Sequence, residues 1–107
     1  DIYGDGPDMG KISSMIKENN IDNNLHLFGS IPNVYNKYQL YSFLVMTSKS
    51  ECYPMVILEA MANKLPMVAF NIPGARSIIE DNINGYLTER FDAQKMADKI
   101  IELIESK

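Results

Sequence analysis

The sequence is poor in the residues that build disulfides and metal centres. Its 107 residues include one cysteine, Cys52, one histidine, His26, and no tryptophan. A single thiol cannot form an intramolecular disulfide, and one cysteine with one histidine cannot supply the ligands of a structural zinc site. We therefore expect neither a disulfide framework nor a metal centre.

Basic residues and long apolar runs are also scarce. Ten Lys and Arg stand against fourteen Asp and Glu, which gives a net charge of −4. This shortage of cations argues against nucleic-acid binding through a basic surface. No run approaches the roughly 18 consecutive apolar residues of a membrane-spanning helix, and no signal peptide is visible. We expect a cytoplasmic protein.

The residues that are present predict an α/β fold with a core. Hydrophobic residues make up 46% of the chain, and short apolar runs alternate with helical patterns, as in a mostly parallel sheet covered by helices. The predicted strands are Ile2–Tyr3, Leu25–Phe28, Phe43–Met46, Met67–Phe70 and Tyr86–Leu87. The predicted helices are Pro7–Glu18, Val34–Tyr38, Met55–Asn63, Ala75–Glu80 and a last amphipathic helix capped by Asp92.

The loop and helix after the third predicted strand carry the strongest sign of chemistry. The helix is apolar on every side except at Glu59, so we expect it to be buried and its carboxylate to need a partner or a polar cleft. Glu51 lies in the preceding loop, and ligands of α/β proteins bind at such carboxyl ends of strands. The first N–H groups of the helix, at Met55, Val56 and Ile57, predict an anion site.

Taken singly, these acidic residues also have ordinary explanations. Glu51 could be a solvated loop residue, and Glu59 could pair with Lys64 or Lys49. Cys52 has no histidine near it in the sequence, so it is a poor candidate for a nucleophile. The residues themselves leave these alternatives open.

A longer pattern surrounds the two acids. Glu51 and Glu59 lie within Ser-x-x-Glu-x-Tyr-Pro-x-x-x-Leu-Glu-Ala-Met-Ala-x-x-Leu-Pro-x-Val-Ala, which resembles the donor-binding signature of retaining glycosyltransferases of family 4, enzymes with the GT-B fold. The similarity spans essentially the whole chain. It continues through Gly4–Pro7, Phe28–Gly29, Pro73–Gly74, Ile78–Glu80, Asn84–Gly85 and the final helix.

The resemblance implies a domain and an activity. Residues 1–107 would form the C-terminal, nucleotide-sugar-binding domain, a Rossmann-like parallel sheet with helices on both faces, without its first strand and helix and without the N-terminal acceptor domain. The chain begins within an apolar run and lacks an initiating methionine, as expected of a piece. In the strand order 3-2-1-4-5-6 the missing strand would lie between Ile2–Gly4 and Phe43–Met46.

Such enzymes transfer a sugar from a nucleotide diphosphate-sugar to a hydroxyl acceptor with retention, and we expect no cofactor here. The resemblance implies a hexosyltransferase of surface-glycan biosynthesis whose glycan or lipid-linked acceptor binds the absent domain, so that the piece alone is inactive. A sugar-nucleotide epimerase of the same fold and a non-catalytic nucleotide-sugar-binding module are the alternatives. Membrane association of the parent is left open.

The resemblance also implies roles for single residues. Glu51 would contact the transferred sugar as the catalytic residue, and Glu59 would bind the ribose hydroxyls. The other donor-binding candidates are Cys52, Tyr53, Pro54, Met55 and Val56 at the helix start, Gly4 and Gly6 in a glycine turn, and Gly29, Ser30 and Ile31 beside the base. The basic pair that neutralises the diphosphate in similar enzymes cannot be assigned here, so we expect amides and the helix dipole to bind it, weakly.

Two positions depart from the family pattern. Cys52 stands where the family usually has glycine, which adds a side chain close to the sugar and could alter the choice of donor. Lys64 replaces the glycine that commonly ends the helix. A left-handed cap is costly for a residue other than glycine, so we expect Asn63 or Lys64 to adopt another cap geometry.

Overall fold

The computed structural model describes residues 1–52 and 54–106. Over these residues parallel strands alternate with helices, which confirms the predicted α/β class. The elements are β1 (Ile2–Tyr3), α1 (Met9–Glu18), β2 (Leu27–Gly29), a 3₁₀ helix (Val34–Leu40), β3 (Leu44–Met46), α2 (Met55–Ala62), β4 (Met67–Phe70), α3 (Pro73–Arg76), β5 (Tyr86–Thr88) and α4 (Ala93–Glu105). The chain divides into two compact units, Asp1–Val34 and Tyr35–Lys107.

In the first unit β1 pairs in parallel with β2, and the rings of Tyr3 and Phe28 stack with centroids 5.1 Å apart. Helix α1 begins at Met9 and not at Pro7 as predicted. The reason is that Asp8 has a non-helical backbone, with φ −93° and ψ 4°, so that Pro7 lies in a turn. The helix ends before Asn19 as predicted, and Asn20 turns the chain with φ +55°.

In the second unit the strands form one parallel sheet in the order β3–β4–β5. The central strand β4 is buried along its whole length, as its continuous apolar run predicts. The prediction that β3 is buried on both faces is wrong, because Val45 is 38% exposed. Within this sheet β3 has one neighbouring strand, so it is an edge strand.

Helix α2 packs by one face, which corrects the prediction of a helix buried all round. Ile57 and Ala60 are fully buried, whereas Met55 and Val56 are 59% and 39% exposed. Positions three apart share one side of a helix, and here only that side reaches the core. An apolar composition therefore did not decide which faces of this short helix are covered.

The end of α2 also differs from expectation. Lys64 keeps the left-handed geometry, with φ +57°. The N–H of Leu65 donates to the carbonyl of Ala60 at 2.9 Å and the N–H of Lys64 to that of Met61 at 3.0 Å, which is the Schellman pattern. The expectation of another cap geometry is wrong, and the lysine backbone bears a strain of about 1 kcal/mol.

Helix α3 precedes β5 in the chain, and helix α4 follows it. Helix α3 covers Pro73–Arg76 rather than the predicted Ala75–Glu80, because the side chain of Asn84 accepts from the N–H of Glu80 at 2.7 Å and stabilises a turn there. Helix α4 begins as predicted, and Asp92 Oδ1 accepts from the N–H of Lys95 at 3.0 Å. None of the helices in the described residues is long and apolar enough to cross a bilayer.

Candidate functional site

A cavity of about 630 Å³ opens in the second unit beside the carboxyl ends of its strands. Most of its lining comes from the loop after β3, and the start of α3 and the loop after β5 complete it. Loops that follow parallel strands meet at one edge of the sheet, which is why residues so distant in sequence share this cavity. The lining residues are Lys49, Ser50, Glu51, Cys52, Pro73, Gly74 and Arg90.

Glu51 is an exposed carboxylate in this lining. Its Oε1 accepts a hydrogen bond from Ser48 Oγ at 3.1 Å. This contact restrains the direction of the carboxylate, while the exposure of the side chain leaves it able to accept hydroxyl groups from a ligand. The carboxylate of Glu51 therefore has access to solvent in the cavity.

The backbone of Glu51 lies directly against Gly74. A Cβ atom placed on Gly74 would be 2.0 Å from the carbonyl oxygen of Glu51 and 2.6 Å from its carbonyl carbon. Real Cβ atoms do not approach that closely, so only glycine permits this contact between the loop of Glu51 and the start of α3. The sequence pattern included Pro73–Gly74, but nothing in it indicated that Gly74 supports the loop of Glu51.

Glu59 is half-buried in α2 and has an internal partner, as the apolar surroundings of its carboxylate predict. The hydroxyl of Tyr38, a residue of the 3₁₀ helix that is 4% exposed, donates to Glu59 Oε2 at 3.0 Å. The partner is thus Tyr38; none of the ion pairs among the described residues involves Glu59. Glu59 does not line the cavity of Glu51.

The bond between Tyr38 and Glu59 changes the titration of the phenol. Burial, together with the hydrogen bond to Glu59 and its negative charge, raises the pKa of Tyr38 to about 12. Each of these effects disfavours a phenolate. Tyr38 therefore stays a neutral donor throughout the neutral and mildly alkaline range.

Replacing Tyr38 with phenylalanine should destabilise the protein by about 1.5 kcal/mol at pH 8, because the carboxylate of Glu59 loses its donor. The folded pKa of about 12 exceeds the unfolded value of about 10, so the stabilisation is complete below pH 10 and is lost as the pH rises through 12. Urea unfolding at pH 8 and 11.5 should show the gap between wild type and Tyr38→Phe shrinking. The control Tyr86→Phe, which leaves the bond between Tyr38 and Glu59 intact, should change the free energy of unfolding at pH 8 by less than about 0.5 kcal/mol.

The other predicted residues around α2 have different positions. Cys52 is exposed and lines the cavity, and Pro54 is buried before the helix. The N–H of Ile57 is not free as expected, since it donates to the carbonyl of Pro54 at 3.2 Å. Met55 and Val56 remain candidate amide donors at the helix start, and Tyr53 lies outside the described residues.

The predicted glycines belong to the first unit. Gly4, with φ +136°, donates its N–H to the carbonyl of Gly29, with φ +73°, at 2.8 Å. Gly4 and Gly6 line a separate cavity of about 290 Å³. Gly29 ends β2 and is followed by Ser30 and Ile31. None of these residues is in the lining of the Glu51 cavity.

Sequence reasoning missed two cations of the Glu51 cavity, Lys49 and Arg90. The guanidinium carbon of Arg90 lies 4.9 Å from the ring centroid of Phe91. Arg90 could have been found from its position two residues after β5, because every loop at that edge of the sheet is a candidate for the site.

Among the residues that the structure describes, no group of three or more His, Cys, Asp or Glu could hold a metal ion.

An acidic residue in a cavity at the carboxyl edge of a parallel α/β sheet is typical of a protein that binds a polar small molecule, and the similar solved structures are GT-B glycosyltransferases. The family model "Glycosyl transferases group 1" matches residues 1–107. The chain belongs to that family.

Two similar curated proteins are glycosyltransferases. The poly(ribitol-phosphate) α-N-acetylglucosaminyltransferase of Staphylococcus aureus is 39% identical over 106 residues, which are 98% of this chain and 22% of the relative. The poly(glycerol-phosphate) α-glucosyltransferase of Bacillus subtilis is 33% identical over 106 residues, which are 98% of this chain and 16% of the relative. The chain thus spans about a fifth of the length of these relatives.

Solved structures show the same similarity. The crystal structure of TarM matches with a TM-score of 0.89 and 39% identity over 96% of this chain and 21% of TarM. Anabaena Alr3699/HepE in complex with UDP and glucose matches with a TM-score of 0.85 and 25% identity over 97% of this chain and 30% of the other.

Proposed function

We propose that this chain is the nucleotide-sugar-binding part of a retaining glycosyltransferase of family 4. The parent enzyme transfers a hexose-type sugar from a nucleotide diphosphate-sugar to a hydroxyl acceptor during surface-glycan biosynthesis. The observation that carries the proposal is the cavity in which Glu51 is supported by Gly74 at the carboxyl edge of the sheet. Family membership and the solved complex of a similar protein with UDP and glucose support it.

Each acid has a role that suits its surroundings. Glu51, exposed in the cavity, accepts hydroxyl groups of the transferred sugar. Glu59 accepts the ribose hydroxyls, and Tyr38 occupies one of roughly four acceptor sites of that carboxylate, so that the others stay available. The amides of Met55 and Val56 contribute to binding the diphosphate. The family resemblance also assigns donor-binding roles to Gly4, Gly6, Gly29, Ser30 and Ile31, which all belong to the first unit.

The chain is, in this proposal, a C-terminal domain without its first strand and helix. Within each unit, the pairings β1–β2 and β3–β4–β5 are compatible with the neighbour relations of the order 3-2-1-4-5-6. The short coverage of the relatives supports a longer parent. The acceptor binds the other domain, and the piece alone does not turn over.

The two alternative functions require different residues in the cavity. An epimerase on this fold needs further acid and base groups around the sugar, and the described lining offers one carboxylate, Glu51, and no histidine. A non-catalytic binding module would retain donor binding and tolerate the loss of Glu51. Activity of Glu51 variants in the full-length protein separates this module from the enzyme.

The donor site is tested by ligand-observed NMR of the full-length protein with UDP-, GDP- and ADP-sugars. We expect binding that is selective for one base and weakened at least about tenfold in Glu59→Ala, since a hydrogen-bonded charge is lost. The control Glu105→Ala, at the exposed end of α4, should bind as the wild type does. Equal binding by Glu59→Ala, or no binding of any nucleotide-sugar, would contradict the proposed donor site.

A further inference from the structure

We propose that Tyr38 is a positioning residue that makes donor binding depend on both hydroxyls of the ribose. Tyr38 is 4% exposed, so it acts through Glu59 and not by touching the ligand. The inference rests on the proposed function, because it takes Glu59 as the acceptor of the ribose hydroxyls. Both residues belong to the second unit, so their contact lies within one compact part of the chain.

The two carboxylate oxygens of Glu59 have different surroundings. Oε2 accepts a hydrogen bond from the hydroxyl of Tyr38 at 3.0 Å. Among the described residues no hydrogen bond or ion pair reaches Oε1, and none of their buried side-chain oxygens lacks a partner. Oε1 of this half-buried residue is therefore open to solvent, and it is the oxygen that a ligand can reach.

Tyr38 restrains the direction in which this carboxylate points. A tyrosine side chain turns about only two torsions, and burial in the core fixes the position of its hydroxyl. At the other end of the glutamate, Asn63 Nδ2 donates to the backbone carbonyl of Glu59 at 2.8 Å. An unrestrained glutamate loses rotamer freedom when it binds a ligand. Glu59 has lost part of that freedom before the ligand arrives, which lowers the cost of binding.

A carboxylate held in this way selects for hydroxyl groups. Because the pKa of Tyr38 is raised to about 12, its hydroxyl keeps its proton and remains a donor at neutral pH. A carboxylate has about four acceptor sites, so those that Tyr38 leaves suffice for two ribose hydroxyls. A 2′-deoxyribose leaves one acceptor without its donor, and a site built to bind a hydroxyl rejects the analogue that lacks it. Without Tyr38 the carboxylate can turn towards water, and this discrimination falls.

The test compares dissociation constants of the full-length protein for UDP, GDP and ADP with those for their 2′-deoxy counterparts. For the base that binds, we expect the wild type to prefer the ribonucleotide at least about tenfold, and Tyr38→Phe to reduce this preference to below about threefold. The control Tyr86→Phe leaves the bond between Tyr38 and Glu59 intact and should keep the wild-type preference. A wild-type preference in Tyr38→Phe overturns the proposal.

A purely structural role of Tyr38 gives a different result. Tyr38→Phe would then weaken ribonucleotides and deoxyribonucleotides by the same factor, and this outcome overturns the proposal. A double-mutant cycle with Glu59→Gln gives a second readout. Because Tyr38 acts through the carboxylate, we expect Tyr38→Phe to cause no further loss of preference in the Glu59→Gln background. An equal loss in both backgrounds overturns the proposal.

The role of Tyr38 and the proposed donor site fail in different ways. A ribonucleotide preference that Glu59→Gln abolishes and Tyr38→Phe leaves unchanged overturns the role of Tyr38 and leaves the donor site in place. Absence of binding of every nucleotide to the wild type overturns both. If Tyr38→Phe does not fold, Glu59→Gln decides alone, because Tyr38 then binds the amide oxygen and leaves the NH₂ group to face the ligand. A preference below about threefold supports the proposal, and an unchanged preference overturns it.

Discussion

Replacing Gly74 with alanine should destabilise the protein by about 3 kcal/mol and separate the loop after β3 from the start of α3. The added Cβ would lie 2.0 Å from the carbonyl oxygen of Glu51, and both partners of this contact are backbone. No rotation of a side chain can relieve the overlap, so one loop must move. Urea unfolding of Gly74→Ala should show a lower midpoint with an unchanged slope.

The matched control for Gly74→Ala is Gly10→Ala. A Cβ on Gly10 meets nothing within 4 Å, and the residue lies in the exposed part of α1. Alanine there should stabilise the protein by up to about 1 kcal/mol, because it favours the helix. A Gly74→Ala variant with wild-type stability and wild-type donor binding would show that the position of the Glu51 loop does not depend on its contact with α3.

Changing Glu51 to glutamine should lower the rate of sugar transfer in the full-length enzyme at least about 100-fold. Glutamine preserves the size of the side chain and an oxygen that can accept from Ser48, so the change removes mainly the charge. In the proposed reaction, positive charge would develop on the sugar as its bond to the leaving nucleoside diphosphate breaks, and the carboxylate of Glu51 would stabilise that charge. The stability of the protein should change by less than about 0.5 kcal/mol, because Glu51 is exposed.

Steady-state kinetics and thermal unfolding of Glu51→Gln separate the two effects. A fall in kcat with little change in KM indicates that the carboxylate acts mainly in the transition state. The control Glu105→Gln, at the exposed end of α4, should retain full activity. Full activity of Glu51→Gln would favour the non-catalytic binding module over the enzyme.

Much of the fold follows from local sequence. The apolar run Met67–Phe70 predicts the buried central strand, and Asp92 predicts the start of the last helix. The exposure of Met55 and Val56 does not follow, because an all-apolar helix has no polar face to reveal which side is covered. The left-handed Lys64 was also missed, since the tertiary position of the following strand outweighs the modest cost of its conformation.

The residues of the site likewise fall into two groups: those that the sequence reveals and those that it does not. Glu51 and Glu59 lie in one continuous motif and could be found by their spacing, and the apolar surroundings of Glu59 indicated an internal partner. Tyr38, Gly74 and Arg90 come from other parts of the chain. Their contribution depends on which loops the parallel sheet brings together, and a single sequence does not record those distances.

The contact between Gly74 and Glu51 also bears on how such a site can change in evolution. The nearest atoms of Glu51 in this contact are its carbonyl oxygen and carbon, which every amino acid possesses. Substitutions at position 51 or at Cys52 can therefore alter the side chains that line the cavity while Gly74 keeps the same support for the loop. A glycine kept at position 74 would let the side chains at positions 51 and 52 change by point mutation without rebuilding the backbone that presents them.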